Sequence, residues 1–197
     1  MSSQSNGSFG GNAGNGPFGQ RLNIFALVIY IPDPLGRFLD DLRRDLVPQY
    51  KPRAHVSVLP PRPLTVDWRL ASEELRGVVE TWSPFEIDLT RIEIFPATNV
   101  IYLEIGEGAG ELRKMHTAMT CHCLAFEEPF SYHPHVTLAQ EIPPSAVDDL
   151  RNHAKRRWRE YRGPRRFRAE RAMFVQSATN NHWIDLAEYA LGVAAVR

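Results

Sequence analysis

The sequence predicts a chain of mixed helices and strands, α/β or α+β, folded as one domain of two pseudo-symmetric lobes. Three observations predict it. Segments of helical periodicity alternate with short β-branched and aromatic runs from Leu22 onward. The run Asn23-Ile24-Phe25-Ala26-Leu27-Val28-Ile29 is mirrored 76 residues later by Asn99-Val100-Ile101-Tyr102-Leu103-Glu104-Ile105. Ala54-His55-Val56-Ser57-Val58-Leu59 has an apolar-His-Val-hydroxyl-aliphatic order that returns 80 residues later in Pro134-His135-Val136-Thr137-Leu138-Ala139. Corresponding elements repeated in the same order mark an internal duplication.

Residues 1–20 hold six of the thirteen glycines, with Ser and Asn, no charge and no apolar block. They lack the basic and apolar regions of a signal peptide and read as a disordered tail. Leu22 to Ile31 is a buried strand, closed by Pro32 and Pro34. Leu35, Phe38, Leu39, Leu42 and Leu46 then fall at helical spacing within Asp33 to Val47, with acids and arginines on the other side. The first histidine strand covers Arg53 to Leu59, and Pro60, Pro61 and Pro63 form a stiff exit. A helix near Ala71 to Trp82 and two strands near Phe85 to Phe95 and Val100 to Ile105 follow. The second half repeats this order with a helix at Glu111 to Leu124, the strand through His135, a helix at Ser145 to Tyr161 and a strand at Met173 to Val175. A last strand near His182 to Leu186 completes a single domain over residues 21–190, before a short C-terminal tail at 191–197.

Composition narrows the function. Apolar content of 43% and charged content of 23% are ordinary for a soluble globular chain. No apolar run approaches the eighteen or so residues of a membrane helix, so no membrane association is expected. Two cysteines, Cys121 and Cys123, and no export signal point to a reducing cytoplasm. The net charge of zero hides an uneven distribution, because Arg151 to Arg171 carries ten Lys/Arg against Glu160 and Glu170. That surplus suits a polyanion, with Trp158, Tyr161 and Phe167 interspersed. The plainer alternative is an amphipathic helix whose arginines pair with acids elsewhere in the fold.

The duplicated motif carries the chemistry. On a strand, His135 and Thr137 share one face while Val136 and Leu138 share the other, and two residues of rise set the polar pair roughly 6.6 Å apart. His55 and Ser57 repeat the arrangement. Opening a cyclic phosphodiester needs one group to take the nucleophile's proton and another to protonate the leaving oxygen. Histidine, with an ordinary pKa of about 6.5, does either near neutral pH. Ser57 and Thr137 can donate to the non-bridging phosphate oxygens as charge grows there. Which imidazole is base and which is acid stays open.

These two motifs, their spacing and the phrase Pro134-His135-Val136-Thr137-Leu138-Ala139 resemble the two-histidine phosphoesterases, a family that includes bacterial 2'-5' RNA ligase-like proteins and cyclic nucleotide phosphodiesterases. The resemblance covers about Leu22 to Leu186. It implies an α+β fold of two lobes, each an antiparallel sheet flanked by helices, with the active-site cleft between them. It further implies hydrolysis of 2',3'-cyclic phosphodiesters of RNA ends or nucleotides to 2'-phosphates, the reverse 2'-5' ligation, and no metal or other cofactor. His55, Ser57, His135 and Thr137 match the family's catalytic positions. Two departures stand out: Gln140 follows the second motif where many relatives carry arginine, and Ser57 replaces the commoner threonine while keeping a hydroxyl.

Arg62, Tyr132 and Gln140 flank the motifs as candidate substrate contacts, with Arg53 beside the first. Other readings of the same residues remain open. His133-x-His135 with Cys121-His122-Cys123 could ligate a metal, although no Cys-x-x-Cys spacing supports it. A non-catalytic RNA-binding module could use the cleft and the basic stretch, although a pure binder needs no paired proton carriers. A small cyclic phosphodiester, such as ADP-ribose 1'',2''-cyclic phosphate, could replace RNA. No obligate protein partner is inferred.

Overall fold

The computed structural model describes residues 19–192. Most of both expected tails, residues 1–18 and 193–197, lies outside the described residues. Their inner ends belong to the fold. Gln20 N–H donates to Thr179 Oγ1 at 2.9 Å, and Leu191 is buried with its N–H on the Glu170 carbonyl. The domain therefore extends slightly past the expected limits at each end.

The elements run β1 (Arg21–Tyr30), α1 (Leu35–Leu46), β2 (His55–Arg62), α2 (Trp68–Val79), β3 (Phe85–Phe95), β4 (Val100–Ile105), α3 (Ala109–Met119), β5 (His135–Ala139), α4 (Val147–Glu160), β6 (Arg166–Ala169), β7 (Arg171–Ala178) and β8 (His182–Ala190). They build two four-stranded antiparallel sheets, ordered β2-β1-β7-β8 and β5-β4-β3-β6. Helices α2 and α3 pack with the first sheet, and α1 and α4 with the second. This is an α+β architecture of two lobes.

The duplicated halves are interleaved. Strand β3 follows α2 of the first half but pairs with β4 of the second. Strand β7 follows α4 of the second half and returns to pair with β1. Helix α1, between β1 and β2 in sequence, packs against β5, while α3 packs against β2. Neither lobe is therefore one repeat. The exchange buries the inner faces of both sheets in a continuous core, where Leu27, Val56, Val58, Leu103, Val136 and Leu138 are each 0% exposed. Each such side chain contributes about 1.5–3 kcal/mol relative to exposure.

Three boundaries differ from the sequence expectation for physical reasons. Strand β2 continues through Pro60 and Pro61 to Arg62 instead of ending at Leu59. It is the outer strand of its sheet, so one side needs no ladder donors, and its pairing with β1 is irregular there. The helix expected to reach Leu124 stops at Met119, and a separate single turn covers His122–Leu124. Strand β6 was not foreseen within the basic stretch; Phe167 and Ala169 alternate inward between exposed arginines.

Candidate active site

Strands β2 and β5 are the edge strands of their two sheets, and they pack side by side where the lobes meet. The backbone alternation that buries Val56 and Val58, and Val136 and Leu138, turns His55 and Ser57 on one strand and His135 and Thr137 on the other toward that seam. His55 is 8% exposed. His135, Ser57 and Thr137 are half-buried.

The two imidazoles are held the same way. His55 Nδ1 lies 2.6 Å from the Arg53 carbonyl, and His135 Nδ1 lies 2.7 Å from the His133 carbonyl. A carbonyl can only accept, so each Nδ1 carries the proton and each neutral ring keeps Nε2 as its basic atom. Thr137 Oγ1 stands 3.2 Å from His135 Nε2. The residues beside the pair on the next strand are also in matching register, Tyr30 opposite His55 and Glu104 opposite His135.

Burial is the largest cause pushing both histidine pKa values down, His55 to about 3. For His55 the charges of Arg43 and then His135 act in the same direction. For His135 the Glu104 carboxylate pulls the other way. Arg43 is 1% exposed on α1 and donates to the Pro52 carbonyl at 3.0 Å, while Asp40 of the same helix accepts from Ala54 N–H at 2.6 Å. Helix α1 thus fixes both the start of β2 and the electrostatics of His55.

This arrangement predicts a pH dependence of stability. His55 is held neutral in the fold but binds a proton in the unfolded chain below pH 6.5. Its stabilisation is complete above pH 6.5 and is lost as pH falls from 6.5 toward 3, for a total of a few kcal/mol. Urea unfolding across that window should show a steeper loss for wild type than for His55→Gln. Equal slopes would contradict the burial of a neutral ring.

Aromatic side chains line both walls. The Trp183 ring lies 4.6 Å from that of His55, and Tyr30 donates to Asp185 at 2.6 Å while its ring sits under Arg53 at 4.1 Å. On the other lobe, Phe95 stacks on Tyr102 at 3.9 Å and meets the edge of His135 at 5.0 Å. Ala26, Val28 and Val175 form a small apolar floor between Tyr30, Met173 and Trp183. The sequence reading missed Trp183, Tyr30, Phe95 and Tyr102, because aromatic residues on strands are equally at home in a core. Tyr30 pairs across strands with His55 and Tyr102 with Thr137, whereas Phe95 and Trp183 pair with no motif residue.

The flanking candidates part company. Arg62 does not face the site. It is 2% exposed, donates to the Pro60 and Leu124 carbonyls at 3.1 and 2.9 Å, and forms an ion pair with Glu128. Its guanidinium clamps the segment after α3 onto β2, which corrects its assignment as a substrate contact. Tyr132 reaches across the seam: its hydroxyl donates to the Ser57 carbonyl at 2.7 Å and its ring stacks on His116 at 3.9 Å. His116 in turn donates from Nδ1 to the Val58 carbonyl at 3.0 Å. Tyr132 therefore ties β5's approach to β2 and positions both strands. Gln140 is exposed just beyond the end of β5.

Glu128→Gln should destabilise the protein by about 3–5 kcal/mol in urea unfolding, since it leaves the buried Arg62 charge unpaired. A shift below 1 kcal/mol would show that the Arg62 clamp is dispensable.

The residues of the alternative metal set go to different carboxylates. His133 Nε2 lies 3.1 Å from Glu104 Oε1. Cys123 Sγ lies 2.8 Å from Glu74 Oε2. Among the described residues, the donors gathered closely enough to share one ion are Glu74, Cys121 and His122, which keeps two members of the sequence-named set but includes neither His133 nor His135.

Comparison with known proteins identifies the family and the fold. A family model of the 2'-5' RNA ligase superfamily matches residues 31–181. A candidate phosphoesterase of Geobacillus kaustophilus is 24% identical over 140 residues, covering 66% of this chain and 77% of its own. One from Bacillus licheniformis is 27% identical over 121 residues, covering 57% of this chain and 70% of its own. Among solved structures, apo LigT of E. coli superposes with a TM-score of 0.61 at 13% identity, covering 86% of this chain and 97% of LigT. LigT complexed with 3'-AMP gives 0.58 at 13% identity, with 85% and 96% covered. TT0787 of Thermus thermophilus gives 0.53 at 14% identity, with 86% and 98% covered. At these identities the structural likeness is one of fold. No helix among the described residues is long and apolar enough to cross a membrane.

Proposed function

The chain belongs to the 2'-5' RNA ligase superfamily, and from that premise we propose that it hydrolyses 2',3'-cyclic phosphodiesters of RNA ends or nucleotides to 2'-phosphates, without a metal ion. One observation carries the reading: two edge strands meet at a seam, each bearing His-x-Ser/Thr and each holding its histidine by an Nδ1–H bond to the carbonyl two residues back. That bond leaves both Nε2 atoms for proton transfer.

His55, the ring whose pKa is pushed lower, is the base that takes a proton from water as the water oxygen attacks phosphorus. His135, where the Glu104 carboxylate opposes the effect of burial, is the acid: in its protonated form it gives the Nε2 proton to O3' as the P–O3' bond breaks. The product is a 2'-phosphate with a free 3'-hydroxyl. Ser57 and Thr137 donate to the non-bridging oxygens. Trp183 and Tyr30 on one wall, with Phe95 stacked over the buried Tyr102 on the other, offer faces for a base. Run in the same direction with a 5'-hydroxyl in place of water, the same steps join ends through a 2'-5' linkage: the 5'-oxygen bonds to phosphorus as the P–O3' bond breaks and O3' takes the proton. The fold's similarity to LigT, which has been crystallised with phosphate and with 3'-AMP, supports a phosphate site in this cleft.

The test is incubation with 2',3'-cyclic AMP in excess chelator, followed by phosphorus NMR. The expected result is 2'-AMP, with a bell-shaped dependence of kcat/KM on pH. Production of 3'-AMP, or turnover only after a divalent ion is restored, would contradict it.

A further inference from the structure

Resting on that reading of the cleft, we propose that the groove between α4 and the outer edge of β3 binds phosphates of a single-stranded RNA substrate behind its reacting end. The argument starts from how the basic stretch divides. Arg151, Arg157, Arg166, Arg168 and Arg171 pair with Asp148, Asp45, Glu107, Glu86 and Glu188 respectively. Lys155, Arg156, Arg159, Arg162 and Arg165 have no carboxylate at ion-pair distance among the described residues. Four of these five, all but Arg162, line one groove of about 710 Å³.

The groove exists because β6 is short. It pairs with β3 only from Phe85 to Asp88, and the chain then peels away at Arg165, whose carbonyl accepts from Leu89 N–H. From Thr90 to Glu93, β3 has no strand on its outer side among the described residues. Lys155, Arg156 and Arg159 project from neighbouring positions on α4 to form the opposite wall. Arg165 closes one end, lying 4.4 Å over the Trp158 ring and donating to the Trp158 carbonyl at 2.6 Å.

The groove leads toward the cleft. Glu93, Tyr102 and Thr137 are consecutive partners across β3, β4 and β5. Thr137 is therefore two strand spacings, roughly 10 Å, from the groove's edge. Phe95, two residues along β3 from Glu93, touches the His135 ring. An extended chain with its end at the histidines could reach the groove within a few nucleotides.

Chemistry selects phosphate. The one acid lining the groove, Glu93, is held by Arg91 at 2.8 Å, which leaves the α4 cations as its unbalanced charge. Trp158 is 4% exposed and offers no stacking face, so the contacts are to backbone phosphates and indifferent to sequence. The rival occupant is an acidic peptide added to β3 as a further strand. The edge suits it poorly, because Leu89 N–H and the Thr90 carbonyl are already bonded, the latter to Trp158 Nε1 at 2.9 Å.

The test compares wild type, K155Q/R156Q/R159Q and Arg162→Gln in the full chain. Binding of a short fluorescent single-stranded RNA and of a fluorescent poly-glutamate peptide is followed by anisotropy across salt concentrations, alongside turnover of 2',3'-cyclic AMP. The triple variant should bind RNA at least ~10-fold more weakly, and its salt slope should be shallower by about two, the value for three lost single-strand contacts. Its mononucleotide turnover and the RNA binding of Arg162→Gln should match wild type. Unchanged RNA affinity and slope in the triple variant would overturn the proposal, as would tighter binding of the peptide than of RNA by wild type. If the triple variant fails to fold, Arg156→Gln and Arg159→Gln, both at exposed positions, carry the same comparison. Absence of mononucleotide turnover by wild type would defeat the reading of the cleft alone, and the binding measurements would still decide the groove.

Discussion

Replacing His135 by alanine is expected to lower kcat/KM for 2',3'-cyclic AMP by ~10²–10⁴-fold, the contribution of one positioned acid or base. The loss should fall mainly on kcat, because the hydroxyls and aromatic walls that hold the substrate are untouched. His55→Ala should cost a similar factor. The double variant should be little worse than the weaker single variant, since two groups serving one transition state are strongly non-additive. His135 is half-buried and its ring meets Phe95 and Tyr102 edge-on and His133 at a tilt, so the alanine variant should fold. Retention of more than a tenth of wild-type activity in either single variant would remove that histidine from the mechanism.

Thr137→Val should lower kcat by about 10²–10³-fold, the range for one donor aimed at developing charge. Valine keeps the β-branched shape in a strand position while deleting the hydroxyl that stands 3.2 Å from His135 Nε2. Ser57→Ala tests the opposite lobe and should act in the same direction. Ser57's carbonyl, held by Tyr132, is unaffected by that change, so the strand should keep its place. Thr137→Ser should recover most of the activity. A loss confined to KM would mean that the hydroxyls bind substrate and transition state equally.

The motif was legible because a strand's two-residue period puts histidine and hydroxyl on one face and valine and leucine on the other, within a few residues of sequence. What that period cannot encode is the partner strand. The exchange of β3 and β7 between lobes depends on which edges the core leaves open, and the repeat offsets are silent about it. Arg62 was misread for a related reason. Sequence shows a cation beside a histidine strand, whereas its partner Glu128 arrives 66 residues later on a different segment. The common Nδ1 bonds of His55 and His135 run to backbone carbonyls, which every sequence possesses. The basic stretch supported two readings, and the structure pairs five of its cations with acids and leaves five without a carboxylate at ion-pair distance among the described residues. Strand β6 hid there because only Phe167 and Ala169 point inward among its four residues.

The central claim is that His55 and His135 flank a single phosphorus. A crystal structure of the protein with 2'-AMP tests it most directly. The account predicts one phosphate at the seam of β2 and β5, with both Nε2 atoms within about 3 Å of different oxygens. A phosphate bound by one histidine alone, or seated away from that seam, would contradict it.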